Sequence, residues 1–421
     1  MIATVFILIV IVQYSYASYI FIPMDIKQKD HLKSYGITYW VINQGVEAWW
    51  LLNYRGGSFA FTHTPNFEKE CKTRGVSYEV ISDASFANIQ KEISNPEINE
   101  EAILLEVAPK IAVYTPSENE KGEKINAWDD AVTMVLEYAE IPYDKIYDTE
   151  VLRGDLAKYD WLHLHHEDFT GQFGRFYRNY SSAPWYRAHV KKMEALATYN
   201  GFSKVSQMKL AVAKKIKDYV GGGGFMFAMC SATDTYDIAL AAEGIDICAE
   251  MYDGDPADPN AQSKLDFSKT FAFRNFILEK NPLEYEHSSI DHNPRQINPE
   301  ADYFTLFDFS AKWDPIPSML TQNHTQTVKG FMGQTTAFLK DYIKPSVLIL
   351  GETKPENEVR YMHGSYGEGT WTFYGGHDPE DYRHYVNDPE TDLSLHPNSP
   401  GYRLILNNIL FPAAKKKKRK T

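Results

Sequence analysis

Three short stretches of this sequence gather side chains able to act as nucleophile, base or metal ligand. In the first, the apolar run Phe225-Met226-Phe227-Ala228-Met229 follows Gly221 to Gly224 and leads into Cys230-Ser231-Ala232. A buried strand that turns sharply into a helix exposes the residue at the turn, and the helix N-terminus favours a thiolate there. Small residues at Ala228 and Ala232 leave room for such an elbow, and the N–H of Ser231 would face a developing oxyanion. The plain alternative is a structural cysteine, since a free Cys packs as a small hydrophobe.

The second stretch is Gly375-Gly376-His377-Asp378-Pro379-Glu380, placed after an apolar strand ending at Tyr374. It offers His377 as a base for Cys230, with Asp378 or Glu380 to orient the imidazole. A turn whose glycines and proline serve only geometry would read the same way. The third stretch is His163-Leu164-His165-His166-Glu167-Asp168. On a strand His163 and His165 share one face and His166 takes the other. Three imidazoles and two carboxylates so close together suit a divalent transition metal, with His165 and His166 the first candidates as ligands. They suit hydrogen bonds to a polar ligand, or a satisfied turn, equally well. No cofactor is certain from these residues.

Two weaker signals accompany these. The acidic stretch Asp253 to Asn260 lacks the loop pattern of an EF-hand and reads as a polar surface loop. The aromatic and basic segment Phe169 to Arg187 could stack on sugars, or could cover a sheet edge.

The elements that must position these groups alternate strand and helix. Residues 18–105 read as a smaller N-terminal α/β unit: strands at Tyr19–Pro23, Val46–Leu52 and Tyr78–Ile81, with helices at His31–Asn43 and Phe67–Arg74. Alternation of this kind predicts βαβ units and a parallel sheet. A second series spans 110–412. It has strands at Ile111–Tyr114, Tyr143–Tyr147 (an edge), Tyr159–His165, Phe225–Met229, Val347–Leu350, Val359–Met362 and Thr370–Tyr374. Its helices fall at Trp128–Ala139, Val205–Val220, about Thr233–Ala242 and Arg403–Ile409. The expected fold is α/β, an open and mostly parallel sheet flanked by helices. Ligands of such sheets gather at the C-terminal ends of the strands, where all three chemical stretches fall.

Composition narrows the function classes. Met1 to Val12 is almost wholly apolar, and Ser15-Tyr16-Ala17 supplies the small-x-small pattern of a signal-peptide cleavage site, so residues 1–17 read as a signal peptide. The apolar run is shorter than the roughly 20 residues of a membrane span. Export to the periplasm or cell envelope is expected. Net charge is −13, and six positive charges lie in the tail at Lys415–Lys420, leaving about −19 on the rest. That balance argues against nucleic acid as a partner. The basic tail (413–421) could touch an anionic membrane surface or an envelope protein; the main expected partner is a small molecule or carbohydrate. Three cysteines, Cys71, Cys230 and Cys248, make no disulfide framework, and a Cys71–Cys248 pair is left open.

Residues 110 to about 412 resemble the class I glutamine-amidotransferase-like superfamily, within it the ThuA-like branch. The resemblance rests on Tyr159-Asp160-Trp161-Leu162-His163-Leu164, on Gly222 to Cys230, and on Gly367 to Tyr374 with Gly376-His377-Asp378 and the later Arg403 to Asn408. It implies a glutamine-amidotransferase-like or flavodoxin-like sheet and a Cys-His hydrolase acting on a small amide or glycan-derived molecule. It equally implies a non-catalytic ThuA-like protein that binds a carbohydrate or metal. Where amidotransferases have GxCxG and HPE, this chain has Ala-Met-Cys-Ser-Ala and His-Asp-Pro-Glu. The whole chain also resembles exported bacterial proteins that carry the label asparagine synthetase B. That activity needs a cysteine after Met1, where Ile2 stands, and an SGGxDS-type loop, which is missing.

Overall fold

The computed structural model describes residues 18–116, 130–291, 299–383, 385 and 388–414. Residues 1–17, expected to be a signal peptide, the start of the helix expected from Trp128, and the basic run Lys415–Lys420 lie outside the described residues. Among the described residues no helix is long and apolar enough to cross a membrane.

The chain folds as an α/β protein with two sheets. Strands β1 (Ser18–Ile22), β2 (Ala48–Leu52), β3 (Ser58–Thr62), β4 (Glu79–Ser82) and β5 (Glu101–Leu105) form the smaller one, in the order β4-β1-β3-β2-β5. Every neighbouring pair is antiparallel, which corrects the parallel βαβ unit expected here. The cause is the tight connection at Asn53–Gly57. Asn53 and Arg55 take positive φ of 63° and 45°, so β2 folds straight back on β3 instead of crossing over through a helix.

The larger sheet begins with β6 (Ile111–Tyr114), β7 (Asp144–Ile146), β8 (Trp161–His165) and β9 (Phe225–Met229). It continues through β10 (Tyr303–Leu306), β11 (Thr327–Lys329), β12 (Phe338–Leu339), β13 (Leu348–Thr353), β14 (Glu358–Tyr366) and β15 (Gly369–Tyr374). Its order is β11-β10-β13-β14-β15-β9-β8-β6-β7, with β12 beside β14. Only the β15-β9-β8-β6-β7 half is parallel; from β14 outward the strands are antiparallel. The sheet is therefore mixed rather than mostly parallel. Hairpins explain the difference, since Gly367 at φ 59° lets β14 return directly into β15.

Strict alternation splits the parallel half into two cores. Val113, Trp161 and Phe227 face one side, with helices Ala131–Tyr138 and Pro400–Leu410; Ala112, Leu162 and Ala228 face the other, with helices Val205–Gly221 and Asp234–Ala241. The first of these cores continues without a break into the smaller sheet through Ile20, Trp50, Phe59 and Phe61. Helix His31–Asn43 lies at this junction. A Cβ at Gly36 would stand 1.8 Å from the Ala139 carbonyl oxygen, so only glycine permits that approach. The Tyr35 hydroxyl donates to Asn407 Oδ1 at 2.5 Å from the same helix.

Candidate histidine and cysteine site

Register brings the three chemical stretches to one edge. His165 on β8, Met229 on β9 and Tyr374 on β15 are successive partners across three parallel strands. Cys230 lies one residue past that row and His377 three past it, so both leave the sheet at its C-terminal edge beside His165 and His166. The connection Met332–Thr336 packs between them. Gln334 N–H reaches Cys230 Sγ at 3.3 Å, the His377 N–H donates to the Met332 oxygen, and a Cβ at Gly333 would meet the Gly376–His377 peptide at 2.9 Å.

Backbone strain gathers here. Cys230 has φ 53°, His166 φ 30° and Gly376 φ 99°. Conformations of this kind in residues other than glycine persist only where surrounding contacts hold them, and they cluster at functional sites. Cys230 thus forms the expected elbow, followed by a short 3-10 turn and the helix Asp234–Ala241.

The thiol differs from the expected thiolate. Cys230 is 4% exposed, and burial pushes its pKa up to about 11, against the N–H groups of Gln334, Thr335 and Ser231 that face the sulfur. Desolvation outweighs those dipoles, so the group is a thiol at neutral pH. The Ser231 N–H points at the sulfur, while its buried Oγ has no partner among the described residues.

His377 turns toward the histidine cluster. Its Nδ1 lies 2.8 Å from His165 Nε2, and the nitrogens of His165, His166 and His377 all come within 4.8 Å of one another. Neither acid orients it. Asp378 accepts from Tyr402 Oη and Thr391 Oγ1, both at 2.8 Å, and Glu380 lies 3.1 Å from His396 Nδ1. The Cys-His-acid set with Asp378 or Glu380 as orienter is corrected accordingly: the two carboxylates are taken up by Tyr402 of the helix Pro400–Leu410 and by Thr391 and His396 of the segment before it.

The residue behind the cluster is Asp130, which none of the three chemical stretches contains. Its Oδ1 stands 3.2 Å from His163 Nε2 and 3.3 Å from His165 Nδ1, the latter off the hydrogen-bond axis. The same oxygen caps helix Ala131–Tyr138 by accepting from the N–H groups of Val132 and Thr133. Burial works to raise the Asp130 pKa, but the neighbouring His163 and His165 imidazoles, with the hydrogen bond from His163, overcome it and hold the carboxyl well below its usual range. An N-cap signal, an acid just ahead of an apolar helix, was the clue available in the sequence.

The other candidates serve structure. His163 is fully buried and satisfied at both nitrogens, with Nδ1 3.3 Å from the Phe227 oxygen. Glu167 reaches the buried Lys209 Nζ at 3.2 Å. Asp168 accepts from the N–H groups of Thr170 and Gly174 and faces His287. Burial would raise its pKa, but His287 and these donors pull it below the usual range. Neither acid joins the cluster of His165, His166 and His377. His165 itself is kept neutral, with burial bringing its pKa down to about 4.

The aromatic segment forms a wall next to this site. Gln334, whose N–H meets the sulfur, also donates from Nε2 to the Gly174 and Tyr285 oxygens; Phe176 packs on Tyr285 and Trp185. In the acidic loop, Lys204 Nζ already occupies the space among Asp246, Asp253 and Asp255. All three cysteines are free and buried, so no Cys71–Cys248 bond forms; the two side chains lie in separate cores.

No family model matches the chain, and no curated protein does. Among solved structures it is similar to two Salmonella typhimurium proteins described as cytoplasmic, at 11% and 12% identity. Each alignment covers 73% of this chain and 100% of the other, with a TM-score of 0.35.

Proposed function

We propose that this protein binds one divalent transition metal through His165, His166 and His377 and uses it on a small amide or glycan-derived molecule. The observation that carries the reading is the convergence of three imidazole nitrogens within 4.8 Å at the ligand-binding edge of the sheet. Three protein ligands leave a fourth position open, as catalytic rather than structural zinc sites do. A metal held there supplies a Lewis acid and a bound water acidic enough to attack near neutral pH. His165 stays neutral and presents Nε2 to the cluster, while the Asp130 carboxylate stands 3.3 Å behind it at Nδ1. Exposed His166 lies on the open side, where a ligand would enter.

Titration of the chelator-stripped full chain with zinc chloride, followed by calorimetry and elemental analysis, tests this. One ion per chain is expected, lost in His165→Ala and in His377→Ala and kept in Cys230→Ala. A wild-type chain that holds no zinc, cobalt or manganese sinks the reading.

A second reading keeps Cys230 as nucleophile with His377 as base, and the strained φ of Cys230 favours it. Turnover abolished by Cys230→Ala in a metal-free protein would select it. The glutamine-amidotransferase-like assignment is part of the same proposal, supported by the parallel strands and the elbow. So are export through residues 1–17 and contact of the basic tail with the envelope.

A further inference from the structure

A cavity of about 410 Å³ lies between the smaller sheet and the antiparallel end of the larger one, and it shares no residue with the histidine site. Its size falls within the range of small-molecule sites. Carboxamides dominate its wall. Asn53, just past β2 at φ 63°, donates its N–H to Gln322 Oε1 at 2.9 Å and accepts from Gln322 Nε2 at 2.7 Å. Asn53 Nδ2 donates to the Asn99 oxygen, and Asn99 Nδ2 to the Phe309 oxygen. A carboxamide carries two N–H hydrogens. Among the described residues, Asn53 and Asn99 each spend one of them on a carbonyl and keep the other.

Two further features point to what this wall would hold. Gln326 Nε2 lies 3.0 and 2.9 Å from the two oxygens of Asp308, which fixes that carboxylate as an acceptor on the rim. Ser318 lines the cavity and is 2% exposed, and its Oγ has no partner among the described residues. That oxygen is itself closed off from the open space, so Ser318 contributes to the wall by its position and not as a contact group. Phe307 is 37% exposed on the same wall, and Trp313, on the segment between Phe309 and Ser318, is 81% exposed.

Amide N–H donors, a braced carboxylate and an aromatic face match a ligand whose hydroxyls both donate and accept and whose ring carbons are apolar. The lining residues include no Lys, Arg or His, and Asp308 opposes an anion. We propose that this cavity binds a neutral saccharide, independently of the histidine site.

The test is saturation-transfer NMR, with tryptophan fluorescence in parallel, on the full chain titrated with maltose, cellobiose and N,N′-diacetylchitobiose. At least one disaccharide is expected to bind. Phe307→Ala and Gln326→Ala should each weaken it at least about tenfold while thermal unfolding stays cooperative. His165→Ala and His377→Ala should leave it unchanged, and zinc binding should be unaffected by the two wall variants, so either proposal can fail alone. The idea is overturned if none of the three sugars binds the folded chain, if binding survives both wall substitutions, or if it disappears in the histidine variants.

Discussion

His165 Nε2 and His377 Nδ1 stand 2.8 Å apart although 212 residues separate them in the chain. One nitrogen of such a pair must donate and the other accept, so the accepting ring is neutral while the pair is intact. A metal bound to both nitrogens would shift the shared hydrogen to the donor ring's other nitrogen, so zinc affinity measured by calorimetry should fall only where falling pH protonates the imidazoles that must bind it.

Asp130 does two jobs that substitution can separate. Asp130→Asn keeps an oxygen to cap helix Ala131–Tyr138 but removes the charge beside His163 and His165. Asp130→Ala removes both. Zinc affinity should fall about 10- to 100-fold in either variant, and only Ala should add about 1 kcal/mol of lost cap. Calorimetry and chemical denaturation measured together check this; equal stability of the two variants would refute the capping role.

Cys230 should react slowly with iodoacetamide at pH 7, because burial keeps it a thiol with a pKa of about 11. The rate should climb through pH 9 and 10 as the thiolate fraction grows. A fast, pH-independent reaction at neutral pH would show an activated thiolate and favour the nucleophile reading. Mass spectrometry of the labelled site distinguishes it from the buried Cys71 and Cys248.

Gly36→Ala should be among the most damaging single substitutions. The added carbon would sit 1.8 Å from the Ala139 oxygen, forcing two packed helices apart in the core shared by both sheets. A loss of about 3 kcal/mol or more is expected, at the upper end of overpacking costs. Urea denaturation measures it, and a loss under 1 kcal/mol would mean the helices can slide.

Stability should fall as pH drops below about 6.5. Burial, helped at His31 by Arg403, lowers the pKa of His31 to about 3 and of His363 to about 4. The unfolded chain therefore takes up protons near pH 6.5 that the folded chain refuses. The stabilisation is fully present above the unfolded value and is lost progressively from pH 6.5 down to about 4 for His363 and about 3 for His31, at up to about 1.4 kcal/mol per pH unit for each histidine. Thermal melts of metal-free protein from pH 7.5 to 5 follow this. A higher melting temperature for His363→Phe than for wild type at pH 5, with none at pH 7.5, would single out His363, whose Nδ1 lies 2.9 Å from Thr372 Oγ1.

Much of the site's local character is legible along the chain. Strand β9 runs from Phe225 to Met229 as its apolar run dictates, and the glycines before it and small residues around Cys230 foretell the elbow, because period and turn chemistry act over a few residues. The histidines of β8 are likewise visible as a cluster. What ties His377 to His165 is the order β15-β9-β8 and its register, a long-range arrangement that no stretch of ten residues contains. The same holds for Asp378 and Glu380, which look like orienting acids beside His377 but are drawn to Tyr402 and His396 by the packing of a distant helix. Sequence determined which groups leave the sheet and at which turns; tertiary structure decided which of them meet, because side-chain partners are chosen by strand order and desolvation rather than by neighbours along the backbone.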